Sequence, residues 1–214
     1  VINLGSKSDG LNNATTGTSA SLTSTNNFIN FCLGKQITNG QQIKNGSCNP
    51  IPMGDIASTD NMPSCKYVSP KNLDTLKSNT SFTMTLAVKN IQLGVFTNPE
   101  TNYYAAPQQI NKQGNIIGHT HLLIEQVDSL TSTTPTTPTK FAFFKGIDGP
   151  AGTDGTVSAD VTTGLPPGVY RFGTITTTAN HVPVLAAVAQ HGTFEDAIYV
   201  CRSLLLCWKT KISF

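Results

Sequence analysis

The most constraining stretch of the chain runs from Ser81 to Lys89, where Phe82, Met84, Leu86 and Val88 alternate with Thr83, Thr85, Ala87 and Lys89. Alternation at period two sends one set of side chains to each face of an extended strand, so this segment buries one face and leaves the other in water. Further candidate strands follow at 91–96, 116–126, 140–145, 156–162, 168–177, 184–190 and 196–201, divided by Gly, Pro and Asn. Those residues favour turns, and the Thr/Pro-rich run SLTSTTPTTPTK joins two of the candidates. No stretch carries a convincing helical stripe. Seven or eight short strands of this kind predict an all-β fold, an immunoglobulin-like antiparallel β-sandwich.

Charge is scarce. Charged residues make up 12% of the 214, about half the usual share of a soluble domain. The 14 basic and 12 acidic residues leave a net charge of +2, and the basic residues gather only in the tail Trp208-Lys209-Thr210-Lys211. Nucleic-acid binding is disfavoured, because neutralising phosphates takes a concentrated basic surface. The longest apolar run, Val182 to Ala189, is interrupted by Pro183 and falls well short of the about 20 residues a membrane-spanning helix needs. Neither nucleic acid nor membrane is an expected partner.

Residues 1–27 are rich in Ser, Thr and Asn, with too few apolar side chains to offset the entropy of ordering them, and read as a flexible leader. The start at Val1 fits removal of a signal peptide. Residues 28–200 read as one β-sandwich domain that opens on an irregular loop region, 28–80, and 201–214 read as an atypical C-terminal tail. Asn13, Asn45 and Asn79 each begin an N-x-Ser/Thr acceptor for glycosylation. Five cysteines stand at 32, 48, 65, 201 and 207 without a C-x-x-C spacing, which argues against a zinc knuckle or a thioredoxin-type motif. Cys32 and Cys48 bracket a short polar stretch, and a disulfide between them would contribute about 3 kcal/mol by constraining the unfolded chain. Cys201 and Cys207 form a second candidate pair, and Cys65 has Cys201 or Cys207 as its candidate partner.

All four histidines, His119, His121, His181 and His191, lie among the candidate strands. In Gly118-His119-Thr120-His121 the two imidazoles leave the same face of a strand about 6.7 Å apart at Cβ, a separation that permits shared metal ligation. With His181 and His191 beside that strand, up to four imidazoles would meet at a site for zinc or copper, with Glu125 or Asp196 as outer partners. The competing reading is a set of ordinary hydrogen-bonded sheet residues. The turn Asp148 to Gly155 lacks the ligand spacing of a calcium loop and reads as a hairpin connection. No G-x-S-x-G, H-E-x-x-H, Walker A or G-x-G-x-x-G motif occurs, so no catalytic residue is assigned. Tyr103, Tyr104 and Trp208 are the aromatics that suggest a sugar-stacking platform.

The segments NGQQI (39–43), GSCNPIPMG (46–54), YAAPQQ (104–109), GHTH (118–121) and ANHVPVLAAVAQHG (179–192) resemble a group of uncharacterised secreted proteins of filamentous fungi, chiefly basidiomycetes. The resemblance covers about residues 28–200. It implies a signal peptide, a Ser/Thr/Asn-rich start and a cysteine pair at Cys32 and Cys48, and it implies no defined activity. The chain departs from the group's pattern after Tyr199, where Val200-Cys201-Arg202-Ser203-Leu204-Leu205 stands in place of a short terminal strand, and at Cys65.

The sequence is therefore read as a secreted, non-enzymatic fungal glycoprotein of the cell wall or host interface, of the effector kind, with a histidine cluster for zinc or copper. Two other readings stand beside it: a module that binds cell-wall polysaccharide or a host protein through its loops, and a metal-dependent enzyme with an open coordination site.

Overall fold

A computed structural model of the chain describes residues 1–12 and 18–203, and its regular secondary structure is almost entirely strand. They are β1 (Ser64–Ser69), β2 (Thr75–Lys77), β3 (Phe82–Lys89), β4 (Ile91–Gln92), β5 (Ile116–Val127), β6 (Phe143–Ile147), β7 (Thr156–Val161), β8 (Gly168–Thr178) and β9 (Ala197–Ser203). The only helical turns among the described residues are short 3-10 turns at Leu4–Lys7 and Thr59–Asn61. The strands form a three-stranded sheet, β1-β3-β7, and a six-stranded sheet, β2-β9-β8-β5-β4, with β6 also paired to β5.

The two sheets share one core. Tyr67, Met84, Leu86, Val157, Ala159 and Val161 come from the smaller sheet; Leu122, Ile124, Tyr170, Phe172, Ile198 and Val200 come from the larger. Phe172 stacks on Phe82 at 5.9 Å and meets Tyr67 edge-on at 6.2 Å, and the Tyr67 hydroxyl donates to the carbonyl of Gly173 at 2.8 Å. The expected all-β class and its packed, mainly antiparallel sheets are present. Two pairings are parallel, however, β2 with β9 and β4 with β5, so the larger sheet is mixed.

Strand β3 matches its expected bounds and buries Met84 and Leu86 as the alternation requires. The expected strand at 184–190 does not form: Pro183 leaves one isolated bridge to Thr177, and Val184 after it lines a cavity described below. Strands β1 and β2 arise inside the region expected to be loop, because β1 buries only Tyr67 and β2 none of its three residues, too few to show a period. At the other end β9 runs on to Ser203, taking in Cys201 and Arg202, so the closing strand is formed despite its unusual sequence.

The Cys32–Cys48 disulfide is present. It ties together a region, 28–63, that holds no strand and meets the rest through bridges such as Gly54 to Gln108. Cys65 is a thiol and not half of a disulfide; its sulfur lies 3.3 Å from the carbonyl of Phe194, and burial pushes it up to about 11. The Cys65–Cys201 pairing is thereby excluded, while Cys207, Trp208 and residues 204–214 as a whole lie outside the described residues, as does Asn13. Asn45 and Asn79 are exposed.

Phe172 is fully buried between the two sheets. Phe172→Ala is expected to cost about 3–5 kcal/mol in denaturant unfolding, about 10–15 °C in Tm for a chain of this size. A loss below about 1 kcal/mol would show that the two sheets do not depend on this shared core.

Candidate metal centre

The antiparallel register of β5 with β8 decides what the histidines can do. Leu122 lies opposite Thr174 and Ile124 opposite Phe172, so the even-numbered residues of β5 face the shared core. His119, opposite Thr177, and His121, opposite Ile175, then point to the outer face of the larger sheet. That face is not left to solvent. The chain after β4 lies over it, with Val95 N donating to the Gly118 carbonyl and Thr97 N to the Ala179 carbonyl, and the turn after β8 carries His181 in beside them. His119 is fully buried, and His121 and His181 nearly so.

Two glycines make room. A Cβ on Gly118 would sit 2.0 Å from the Thr177 carbonyl oxygen, and one on Gly146, opposite His121 on β6, would sit 2.8 Å from the Phe96 ring and 3.3 Å from His121 itself. Phe96 closes the site, its ring 4.5 Å from His119 and 5.0 Å from His181. His181 holds a left-handed backbone at φ 66°, which costs a non-glycine residue about 1–2 kcal/mol. Its N–H closes a turn onto Thr178 O, and the ring is thereby directed back at β5.

One ring nitrogen of each of His119, His121 and His181 lies within 4.8 Å of the others, and this group could hold a metal ion. The hydrogen bonds say which nitrogens are available. His119 Nδ1 is 3.1 Å from the Val95 carbonyl, His121 Nδ1 3.1 Å from the Ile175 carbonyl and His181 Nε2 2.9 Å from the Thr97 carbonyl. A carbonyl only accepts, so each of these nitrogens carries the hydrogen and donates. In neutral rings the lone pairs are then on His119 Nε2, His121 Nε2 and His181 Nδ1.

His119 Nε2 and His181 Nδ1 are only 3.1 Å apart. Two lone pairs at that distance repel, and a cation between them, proton or metal, removes the conflict. Four-coordinate zinc with bonds of about 2.0–2.1 Å places its ligand nitrogens about 3.3 Å from one another, close to the observed spacing. Thr177 Oγ1, 3.0 Å from His119 Nε2, supplies a donor there. Anchoring of the non-ligating nitrogen by a carbonyl is the usual outer arrangement of metal-binding histidines.

The fourth expected ligand is not in the group. His191 is exposed, its Nδ1 2.6 Å from the neighbouring Gly192 carbonyl and its ring stacked on Phe194. Nor do the expected outer carboxylates serve: Glu125 binds Arg171 across the strands, and Asp196 takes Lys66 Nζ and Tyr67 N. Backbone carbonyls fill that role. Sequence reasoning also passed over Glu195, which accepts from Thr176 N at 2.8 Å and from the hydroxyls of Thr174 and Thr176 at the edge of β8.

A cavity of about 620 Å³ opens over the site. His121, His181 and Glu195 line it together with Phe96, Tyr103 and Phe144, while His119 lies beneath. Tyr103 and Tyr104 stack at 4.0 Å, but Tyr103 is half-buried at this wall and does not form an open platform for a sugar. Burial, then the nearby His121 and His181, push His119 down to about 3, against the pull of the Val95 carbonyl. His121 is lowered by burial too, offset by the Ile175 carbonyl.

An unfolded histidine takes a proton near 6.5 and folded His119 only near 3, so between these values the unfolded chain binds more protons and stability rises with pH. Metal-free protein should lose Tm steadily as pH falls from about 6.5 towards 4, and His119→Gln should flatten that slope. An unchanged Tm across the window contradicts a neutral His119.

The family model described as the CLU5d N-terminal domain matches residues 65–202, a range that takes in all four histidines and every strand from β1 to β9 except Ser64 and Ser203 at the two ends. Among known proteins the chain is similar to pathogenicity cluster 5 protein d of the fungus Colletotrichum graminicola, 46% identical over 171 residues. The match covers 79% of this chain and 36% of that relative, so the chain spans little more than a third of the relative's length.

Proposed function

The chain belongs to the CLU5d N-terminal domain family, and from that premise we propose that it is a secreted fungal protein of the host interface in which His119, His121 and His181 hold one zinc or copper ion. The observation that carries the metal is the hydrogen-bond pattern: three imidazoles, each with one nitrogen donating to a backbone carbonyl, turn their remaining nitrogens towards one another. Three neutral imidazoles suit zinc and copper better than calcium or magnesium, which prefer oxygen. The disulfide fits an oxidising, extracellular setting, and the exposed acceptors at Asn45 and Asn79 suit passage through a secretory route. The host-interface role is supported by the relative named for a pathogenicity cluster. No helix among the described residues is long and apolar enough to cross a membrane.

A closed structural centre would have a fourth protein ligand, whereas three imidazoles meet here among the described residues, and two of them, His121 and His181, border the cavity. A three-histidine site with one position open to a cavity serves ligand binding, and it equally favours a second reading, a metal-dependent enzyme.

Protein from a secretory host, dialysed against chelator-free buffer, should carry about one zinc or copper per chain by elemental analysis. Restoring the ion at 100 times its dissociation constant should stabilise stripped protein by about 2.7 kcal/mol, about 5–10 °C in Tm. His181→Asn keeps a residue that tolerates the left-handed backbone and should remain folded while retaining no metal. Equal and negligible metal in wild type and variant after metal-replete expression would sink the proposal.

A further inference from the structure

The cavity's walls narrow what can enter it. At about 620 Å³ it lies inside the about 300–1,000 Å³ range of small-molecule sites. Phe96, Tyr103, Phe144, Phe194, Ile175 and Val184 make it flat-walled and apolar. Among the described residues no lysine or arginine lines it, and the one carboxylate that does, Glu195, opposes a phosphate or carboxylate ligand.

Most of the polar side chains at the wall are already engaged. Thr176 Oγ1 is on Glu195, Thr193 Oγ1 on the Glu195 carbonyl, and Gln42 Nε2 on the Pro99 carbonyl, while Thr177 Oγ1, which is on His119 Nε2 in the metal-free protein, is released when an ion takes that nitrogen. A saccharide, with its many hydroxyls to satisfy, would find few partners. A carboxylate has about four lone-pair positions. Glu195 uses three, for Thr176 N, Thr174 Oγ1 and Thr176 Oγ1, which leaves one on Oε1.

We infer that this cavity binds a small planar phenol with two adjacent hydroxyls, a catechol-type ring held between the aromatic walls and ligated to the ion at His119, His121 and His181. The inference rests on the metal reading above. One hydroxyl oxygen takes the open position and releases its proton to solvent; the adjacent hydroxyl donates to Glu195 Oε1. The chemistry required of the ligand is thus a flat apolar body, one oxygen donor to the metal and one O–H donor to a carboxylate.

The test uses 4-nitrocatechol, whose visible band shifts on deprotonation and ligation, titrated into zinc-loaded protein after gel filtration, with metal content measured before and after. Saturable one-to-one binding is expected, at least tenfold weaker for metal-stripped protein and for 1,2-dimethoxy-4-nitrobenzene, the same ring without ligating hydroxyls. Glu195→Gln and Phe144→Ala should each retain the metal and weaken binding about tenfold; Phe144 is 45% exposed, so its truncation leaves the core intact. Metal retained with no saturable binding, or equal binding by loaded and stripped protein, overturns this inference and leaves the metal centre standing. A wild-type protein that retains no metal overturns both.

Discussion

The ladder between β5 and β8 is the interaction on which the rest of the structure depends. It runs without a break from Gly118 opposite Thr178 to Val127 opposite Val169, the longest pairing in either sheet. Because paired residues share a face, one register gives the core Leu122, Ile124, Tyr170 and Phe172 and gives the outer face His119, His121, Thr177 and Ile175. A slip of one residue would turn the histidines into the apolar core and the core residues into the roof. Burial of the apolar half therefore holds the imidazole half in place. The same face carries Glu125 against Arg171 further along the ladder, so its polar residues are paired along its length.

Strand pattern was the most legible level of the sequence. The alternation at 82–89 and the runs behind β5, β7 and β8 were readable because each buries several residues at a fixed period. β1 and β2 were not, since an edge strand that buries one side chain has no period to show. The segment 184–190 misled for the opposite reason: it is apolar without being a buried strand, with Val184 at a cavity wall and 187–190 exposed, and Pro183 removes the ladder donor that a strand would need there. Of the site, the H-x-H pair and His181 were visible as residue types, and the disulfide as a spacing. The roles of Val95, Thr97 and Ile175 were hidden in principle, because a backbone carbonyl carries no side-chain signature. Glu195 was hidden because its value lies in position: β9 pairs with β8 only up to Gly173, and the carboxylate stands beside the stretch that follows.

The trio of histidines illustrates how a polar cluster persists in a buried place. Each ring is satisfied on one side by a carbonyl and crowded by its neighbours on the other, and burial disfavours charging His119. The strained backbone at His181 adds to the cost. Such a combination of strain, desolvation and opposed lone pairs is characteristic of sites organised around something other than stability. Its opening to an aromatic cavity gives that arrangement an outlet that a purely structural cluster lacks.

Glu195 has a further consequence. Beyond Gly173, β8 presents an edge that no strand among the described residues covers, and exposed edges of this kind recruit the edges of other molecules. Here Glu195 takes the Thr176 N–H, Val182 takes the Thr178 N–H, and Pro183, which has no N–H to give, sits against Thr177. A half-buried carboxylate and a proline at an open edge are features that discourage one copy of a β-rich chain from zipping onto the next. The residues that border the cavity thus also occupy the open edge of the sheet.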